Sequence, residues 1–514
     1  MERERWGSRL GVILAVAGSA VGLGNFLRFP VQAVKNGGGA FIIPYFISLF
    51  LLGIPLMWIE WTIGRFGGGF GHGTAPGIFH TLWRKNRFIK YFGVIGIFGP
   101  IAIFIYYTYI ESWLLAYTFF PLRDDFSLIS KKDEMVAFLQ GYQGVVKNQY
   151  FSSILPAYLF FVITFVLNLL IIYFGIKRGI ERVCKIAMPT LFLFALILVI
   201  RVLTLKNQIN PFWSPLNGLG FLWNPDFSSL KDAKVWLSAA GQIFFTLSVG
   251  IGVILTYASY LTKKDDVLLS GLTSASTNEF AEVILGGSIV IPAAFVFFGP
   301  VGIREVANQG SFNLGFVTMP LILKSLPFGK IFEILWFFLL FLAGLTSSIS
   351  LCQPAIAFLE DEFNLSKKKS VLIFGIVCFL LSHLSVLFLS KGVVDELDFW
   401  GGTFALVVFA TVETILFAWV FGMENAWEEM HSGSDITLPK FYKFIIKYIT
   451  PLFLLSILFS WIVQYAIPTF LMKNYPRENL PYIIMTRIIL VLLFLTLCIL
   501  VKISWSKKGE KFET

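Results

Sequence analysis

Apolar and polar positions alternate in long blocks along the 514-residue chain. Apolar runs of about 20 residues, enough for one bilayer-spanning α-helix, are separated by short clusters of charges, Pro or Gly. The pattern predicts about twelve such segments. Their approximate bounds are 9–34, 39–66, 88–119, 156–175, 182–204, 233–261, 268–297, 328–360, 369–389, 396–421, 441–468 and 482–503.

Two segments are interrupted by glycine in the same way. The first contains Gly18-Ser19-Ala20-Val21-Gly22-Leu23-Gly24-Asn25, and the sixth contains Phe245-Thr246-Leu247-Ser248-Val249-Gly250-Ile251-Gly252. Each glycine weakens a helix by about 1 kcal/mol relative to alanine, and nearby Ser, Thr and Asn side chains can bond to unwound backbone. We therefore predict that both helices unwind near mid-membrane. Close helix packing through the GxxxG spacing is the alternative.

The two interruptions lie five segments apart, which fits two inverted halves that each open with a discontinuous helix. We expect a single transmembrane transporter domain over residues 1–514, of all-α fold with a five-plus-five inverted repeat. The first repeat covers about 9–204, the second about 233–421, and two additional helices occupy about 441–503. The repeat is inferred from position only, since no sequence identity between the halves is visible.

Composition agrees with this pattern, because 56% of the residues are hydrophobic and 14% are charged, whereas soluble proteins carry about 25% charged residues. A soluble or disordered chain is excluded on these values. The net charge of +10 is dispersed over short segments, so no nucleic-acid partner is expected. The lipid bilayer is the expected environment.

Basic residues gather in alternate loops, which the positive-inside rule places in the cytoplasm. These loops hold Arg84, Lys85, Arg87 and Lys90, then Lys177, Arg178 and Arg182, then residues 367–369 and the tail from Lys502. We expect a multi-pass protein with both termini cytoplasmic. The short second outer loop and the lack of extended tails favour a prokaryotic inner membrane.

Catalytic motifs are missing from the sequence, which contains no HExxH, GxSxG or GxxxxGK[ST] pattern. The four cysteines lie in apolar runs and form no CxxC pair. We expect no enzyme activity and no ATP-driven transport. An ion gradient remains as the energy source.

A broken helix offers N–H groups at one end and C=O groups at the other, so it can hold an anion and a cation close together. A zwitterionic amino acid and a sodium ion with oxygen ligands fit that pattern. The candidate polar ligands are Asn25, Thr246, Ser248, Asn278, Thr346 and Ser347. The alternative for the hydroxyls is bonding to their own helix carbonyls.

Four acids interrupt apolar segments, namely Glu60, Glu111, Glu282 and Glu413. Such placement is costly and functional by default, although some of these acids are expected to bind backbone N–H groups freed by unwinding.

Three long motifs resemble the neurotransmitter:sodium symporter family, and its bacterial leucine-transporting members are the most similar. They are AVGLGNFLRFP at 20–30, NGGGAF at 36–41 and PLMWIE at 55–60. The similarity runs through nearly all the chain. It implies sodium-coupled symport of small neutral hydrophobic amino acids of the leucine, alanine and methionine class by alternating access. A homodimer is compatible with the resemblance.

The resemblance implies two Na+ sites. The first would use the Ala20 carbonyl, Asn25, Thr246, Asn278 and the substrate carboxylate. The second would use the carbonyls of Gly18, Val21 and Ala343 with Thr346 and Ser347. A proton-coupled carrier would need a titratable group at the second site, and a receptor or channel would need no paired gates; both remain alternatives.

The family pattern also assigns the substrate contacts. The carboxylate would meet the Tyr107 hydroxyl and the N–H groups of Leu23 and Gly24, and the ammonium would meet carbonyls of Ala20, Phe245 and Thr246 near Ser248. The side-chain pocket would comprise Ile103, Tyr107, Phe245, Ser248, Ile251, Ser347 and Leu351. It holds no charge, so a charged side chain would be rejected.

Departures from the leucine-transporting members put leucine itself in doubt. Ile103 replaces valine, Ile251 replaces phenylalanine, Leu351 replaces isoleucine and Ser19 replaces asparagine. One methylene discriminates by only about 1 to 3 kcal/mol, so alanine, methionine, valine and isoleucine remain candidates.

Gates follow from the same resemblance. Arg28 and Asp398 would form the outer pair above a lid of Tyr107 and Phe245, and Arg3 and Asp361 would close the inner side with Trp6, Ser259 and Tyr260. An outer vestibule, and with it a second substrate site, would be lined by Leu27, Tyr106, Ile110, Trp113, Phe312 and Asp398. Chloride-dependent relatives carry a small hydroxyl residue where this chain has Glu282, so the carboxylate would substitute for the halide.

Overall fold

The computed structural model describes residues 4–127, 129–207 and 210–512. Among them, ten continuous helices are long and apolar enough to cross a membrane. They are α2 (Gly39–Gly68), α3 (Ile89–Arg123), α4 (Leu155–Tyr173), α5 (Ile176–Leu203), α7 (Val267–Asn308), α8 (Gly329–Phe363), α9 (Lys367–Leu387), α10 (Val393–His431), α11 (Phe441–Gln464) and α12 (Arg477–Ser506).

The two remaining segments are the interrupted ones. Helix α1 consists of Arg9–Ala20 and Gly24–Lys35, whose axes differ by 46°. Helix α6 consists of Ala233–Leu247 and Val253–Ala258. The predicted all-α polytopic fold, with about twelve segments and discontinuous first and sixth helices, is confirmed.

Local chemistry explains where these elements start and break. The Ser8 hydroxyl caps α1 by accepting from the Gly11 N–H, and the Asp232 carboxylate caps α6 by accepting from the Lys234 N–H. After Leu247 the chain turns through positive φ at Ser248 (54°), Gly250 (75°) and Gly252 (90°). A right-handed helix needs negative φ, so the sixth helix cannot continue through this segment. Glycine adopts positive φ at no steric cost.

The interrupted helices lie inside the molecule. Helix α8 packs along α3 and against the first half of α1, and α7 also contacts α1. Helices α3, α7 and α8 are mostly buried, while α11 and α12 keep most of their apolar surface exposed, as expected for helices that face lipid. The breaks are therefore surrounded by protein, where unwound backbone is tolerated in a membrane.

Shorter helices lie in the long connections between the predicted segments. The helix Lys132–Tyr142 lies between α3 and α4, and Met319–Lys324 lies between α7 and α8. Helix α7 continues past its predicted end at 297 because the chain kinks at Gly299 (φ 67°) and then resumes helical geometry. Apart from one isolated bridge, Gly38 with Pro225, the described residues contain no β-structure.

Candidate functional site

A polar cluster joins the two breaks to α7. The Asn25 side chain accepts from the Gly22 N–H at 2.8 Å, and its Nδ2 lies 3.2 Å from Thr246 Oγ1. The Asn278 amide lies 2.8 Å from Asn25 Nδ2 and 3.0 Å from Thr246 Oγ1. All three side chains are fully or almost fully buried, so the structure brings three predicted ligands of the first sodium together.

Backbone oxygens complete this cluster. The Asn278 side-chain atom that points inward lies 3.2 Å from the carbonyl oxygens of both Ala20 and Thr246. Oxygens at such distances need a shared donor: either the amide turns its nitrogen toward them, or a cation lies between them. These oxygens could therefore bind a small hard cation. Without a cation, the turned Asn278 amide can donate hydrogen bonds to them.

A second set of oxygens joins α1 to α8. Ser347 Oγ lies 3.3 Å from the Gly18 carbonyl and 3.0 Å from the Ala343 carbonyl. Thr346 Oγ1 lies 3.2 Å from the same Ala343 carbonyl. Val21, the fifth predicted member, is buried at the start of the α1 break. These groups can supply neutral oxygen ligands, although here the hydroxyls also bond to helix carbonyls, the alternative raised from sequence.

Every residue predicted to bind substrate lines one cavity of about 60 Å³. The lining includes Ala20, Leu23, Gly24, Ile103, Tyr107, Phe245, Thr246, Ser248, Ile251, Ser347 and Leu351. The Tyr107 hydroxyl contacts Ser347 and the Leu23 backbone. No charged side chain is among the residues that line this cavity.

Several lining residues were missed from sequence. They include Ser350, Val253, Gly402 and Leu406, which border the same cavity. Ser350 lies three residues after Ser347 on α8, so it occupies the same helix face, and that spacing could have identified it.

Glu282 lies behind the first polar cluster. It is fully buried and accepts hydrogen bonds from the Thr246 hydroxyl, from Gln242 Nε2 at 3.0 Å and from the Tyr45 hydroxyl at 2.9 Å. Tyr45 also contacts Glu279 at 2.7 Å. The Glu282 carboxylate is thus hydrogen-bonded directly to Thr246, a predicted ligand of the first sodium.

Glu60 supports the break in α6, because its carboxylate accepts from the Gly250 N–H. Glu413 on α10 contacts Glu60, and Glu111 accepts from Asn168 Nδ2 at 3.1 Å. Glu60 is therefore a membrane acid that binds a backbone N–H group freed by unwinding.

The residues predicted to form the outer gate line a larger cavity of about 360 Å³, which shares Tyr107 and Phe245 with the first cavity. The Arg28 guanidinium lies over the Phe245 ring, 4.3 Å from its centroid. Asp398 accepts from the Tyr106 hydroxyl at 2.5 Å. Arg28 and Asp398 both line this cavity, and Arg28 Nη1 is buried without a hydrogen-bond partner in the described structure.

Most of the predicted vestibule borders the same space, namely Leu27, Tyr106, Ile110, Phe312 and Asp398. Trp113 is not in the lining and packs edge-on against Phe312 instead, with ring centroids 6.1 Å apart.

On the inner side, Trp6 Nε1 donates to the Tyr257 carbonyl at 3.0 Å. The Tyr260 hydroxyl accepts from Gln353 Nε2 at 2.8 Å, and Ser259 is buried beside it. Asp361 lies near the end of α8. The predicted pair of Arg3 with Asp361 falls outside the described residues at Arg3.

Two interrupted helices with opposed polar breaks, enclosed by membrane-spanning helices, define a secondary transporter with a central site. This class is not an enzyme class. The chain belongs to the sodium:neurotransmitter symporter family, whose family model matches residues 3–137 and 145–508. The family makes it a sodium-dependent, multi-pass membrane transporter.

Individual relatives agree with this placement. The chain is 32% identical to an uncharacterized sodium-dependent transporter of Methanocaldococcus jannaschii over 99% of both chains. It is 29% identical to one of Haemophilus influenzae, over 89% of this chain and 98% of the relative. The crystal structure of MhsT in complex with L-phenylalanine is similar at 30% identity and a TM-score of 0.76, covering 89% of this chain and all of that one.

Proposed function

We propose that the protein is a sodium-coupled symporter that imports small neutral hydrophobic amino acids, of the leucine, alanine and methionine class, by alternating access. The observation that carries the proposal is the contact between an oxygen cluster fit for a small cation and an uncharged cavity at the same pair of breaks. MhsT, a similar protein, was crystallised with a hydrophobic amino acid.

Two sodium ions would bind. The first would take the Ala20 carbonyl, Asn25, Thr246 and Asn278, and the substrate carboxylate would complete its ligands. A buried cation and a buried anion in contact stabilise each other in a low-dielectric site, so sodium and substrate would each raise the affinity for the other. This direct contact is the basis of coupling.

The second ion would lie between α1 and α8. Its ligands would be the carbonyls of Gly18, Val21 and Ala343 with the Thr346 and Ser347 hydroxyls, a set without a titratable group. This composition favours sodium over a proton as the coupling ion. Occupancy would hold the first half of α1 against α8 and keep the inner side closed.

The amino acid would bind across both breaks. The N–H groups of Leu23 and Gly24 and the Tyr107 hydroxyl would hold its carboxylate, and carbonyls of Ala20, Phe245 and Thr246 would hold its ammonium. Ile103, Ile251 and Leu351 would contact the side chain, with Ser248 and Ser347 beside them. An acidic or basic side chain would be buried without a partner, at a cost far above that of a neutral one.

Glu282 would replace chloride. Its carboxylate accepts hydrogen bonds from Thr246, Gln242 and Tyr45 and would supply a fixed negative charge beside the first sodium, where a halide would otherwise balance the ion. Transport would then be independent of chloride.

Gating would use charges on both sides of the site. Arg28 and Asp398 would approach each other over Phe245 and Tyr107 when the outer side closes. Asp361 and Arg3, with Trp6 and Tyr260, would close the inner side. These gates would belong to a single transporter domain that contains two repeats, at about 9–204 and 233–421.

Placement in the cell follows the charge pattern. Both termini would face the cytoplasm of a prokaryotic cell, with the polypeptide in its inner membrane. The chain would work as a monomer or as a homodimer of independent sites.

Binding of labelled leucine, alanine and methionine to the purified protein, in sodium against potassium, tests the assignment. We expect sodium-dependent binding of at least one of them, competed by other neutral amino acids and not by glutamate or lysine. Sodium-independent binding, or full sodium dependence in Asn25→Ala, would contradict the proposed sites.

A further inference from the structure

Four serine hydroxyls line the proposed substrate cavity on three different helices. They belong to Ser19 on α1, Ser248 at the break of α6, and Ser347 and Ser350 on α8. All four are largely buried or half-buried. A pocket for purely aliphatic side chains would not need them, so their hydrogen bonding bears on substrate choice.

The hydroxyl proton of Ser350 is already used in a hydrogen bond within the protein. A hydroxyl has one proton and two lone pairs, whereas a carbonyl oxygen only accepts. Ser350 Oγ donates to the Ser347 carbonyl at 2.6 Å. The 2.7 Å hydrogen bond between Ser19 Oγ and Ser350 Oγ must therefore use the proton of Ser19.

The other two hydroxyls are committed in the same way. Ser248 Oγ donates to the Ser19 carbonyl at 2.9 Å. Ser347 Oγ donates toward carbonyl oxygens, those of Gly18, Ser19 and Ala343 at 3.3, 3.2 and 3.0 Å, and it also contacts the Tyr107 hydroxyl. Every hydroxyl proton in the cluster is thus used by the protein, and only lone pairs remain for a substrate.

A lining that offers lone pairs beside apolar groups selects a particular side chain. Ile103, Ile251 and Leu351 supply the apolar surface of the same cavity. If sodium takes the Ser347 hydroxyl, the Ser19–Ser350 pair still has free acceptor positions. A side chain with an O–H donor and little bulk satisfies both kinds of surface, while an aliphatic one leaves the acceptors unpaired.

We propose that Ser19 and Ser350 make this site prefer hydroxyl amino acids over their aliphatic isosteres: threonine over valine, and serine over alanine. The inference rests on the proposed sodium-coupled symport of small neutral amino acids and shifts the preferred side chain from aliphatic to hydroxyl-bearing. Sites that hydrogen-bond a substrate hydroxyl reject the analogue that lacks it, whereas apolar pockets barely distinguish the two.

The test measures binding of labelled L-threonine and L-valine to the purified full-length protein, each in sodium and in potassium. One neutral hydrogen bond corresponds to about a 3- to 10-fold preference, so we expect the Kd of threonine to be lower by that factor. Serine and alanine should differ in the same direction. The serine–alanine pair gives a second comparison that needs no variant protein.

The Ser19→Ala/Ser350→Ala double variant should bring the threonine-to-valine ratio to about 1. Ser382→Ala is the matched control, because Ser382 is buried on α9 and its hydroxyl has no partner in the described structure; it should keep the preference of the unmodified chain. A double variant that fails to fold leaves the decision to the threonine–valine and serine–alanine pairs.

Two results would overturn the inference, and they are distinguishable. Sodium-dependent binding in which valine equals or exceeds threonine, or a preference that persists in the double variant, refutes the role of the serine pair and leaves the symporter proposal standing. No sodium-dependent binding of any of the four amino acids refutes this inference, and it refutes the symporter proposal as well if leucine and methionine also fail to bind.

Discussion

Asn25 lies where α1, α6 and α7 meet, and its amide touches both Thr246 and Asn278. Around it, neutral oxygens lie close together, and no carboxylate of the protein is among the proposed ligands. Two acids contact these ligands, Glu282 at Thr246 and Glu279 at Asn278. At the scale of single residues, the proposed ion binding therefore depends on the exact placement of neutral ligands, with negative charge supplied by the substrate and by carboxylates behind them.

Replacing Asn25 by Ala removes an oxygen ligand and the bond to the Gly22 N–H. Loss of a hydrogen bond or ligand contact to a charged group costs about 1.5 to 3 kcal/mol, so we expect the apparent sodium affinity to fall roughly 10- to 100-fold. Titrating sodium at fixed labelled substrate measures this. Asn425→Ala, an exposed change on α10, should leave the sodium curve unmoved; equal curves for both variants would remove Asn25 from the site.

Replacing Glu282 by Ser would remove the negative charge that we propose balances the first sodium. Uptake by the unmodified protein should be unchanged when gluconate replaces chloride, whereas uptake by Glu282→Ser should become chloride-dependent because a mobile anion must supply the missing charge. Parallel uptake assays in the two salts measure this. A sharp loss in gluconate without the substitution would exclude the proposed role of Glu282.

At the scale of elements, the break in α6 is held by backbone geometry and by a neighbouring acid. A Cβ on Gly250 would lie 2.7 Å from the Leu406 carbonyl, and one on Gly252 would lie 2.5 Å from the Gly96 carbonyl. Both glycines have positive φ, and Glu60 binds the Gly250 N–H. The segment therefore fits closely between α3 and α10 as well as between the halves of its own helix.

Gly250→Ala and Gly252→Ala should each destabilise the protein. Left-handed backbone costs an L-residue about 1 to 2 kcal/mol, and the close carbonyls add strain. Thermal unfolding in detergent, followed with binding of labelled substrate, should show lower midpoints and weakened binding. Gly241→Ala in the first half of α6 meets nothing within 4 Å and should be neutral or slightly stabilising; the prediction is wrong if all three variants behave alike.

The sequence predicted the elements well because hydropathy blocks and glycine positions are local signals. Both breaks, at Val21–Leu23 and at Ser248–Gly252, fall where glycines cluster. Partners across helices were harder to predict: Ser350 beside Ser19, or Tyr45 between two acids, depends on how distant segments pack. Arg28 illustrates the same limit, because its contact with Phe245 follows from tertiary geometry and not from the motif that contains it.

At the scale of the whole molecule, two cavities lie in series, the larger bordered by Arg28 and Asp398 and the smaller by the breaks. Tyr107 and Phe245 line both. A protein that alternates access needs such a division between an outer space and an enclosed site. The gathering of basic residues in alternate loops predicts a direction for this division, with those loops in the cytoplasm.

Membrane orientation can be tested with introduced cysteines. Lys85→Cys in the loop between α2 and α3 and Lys132→Cys in the loop after α3 are both exposed, and three of the four native cysteines are buried. In intact cells, a membrane-impermeant maleimide should label Cys at 132 and leave Cys at 85 unlabelled until the cells are opened. The reverse pattern would place the termini outside.

Coupled uptake into liposomes tests the central claim most directly. Purified protein, reconstituted and loaded with potassium, is given an inward sodium gradient and labelled neutral amino acids including leucine, alanine, methionine, threonine and valine. The account predicts transient accumulation of at least one of them above its external concentration, abolished by a sodium ionophore and by Asn25→Ala. Uptake that only equilibrates, persists without sodium, or is absent for every amino acid would contradict it.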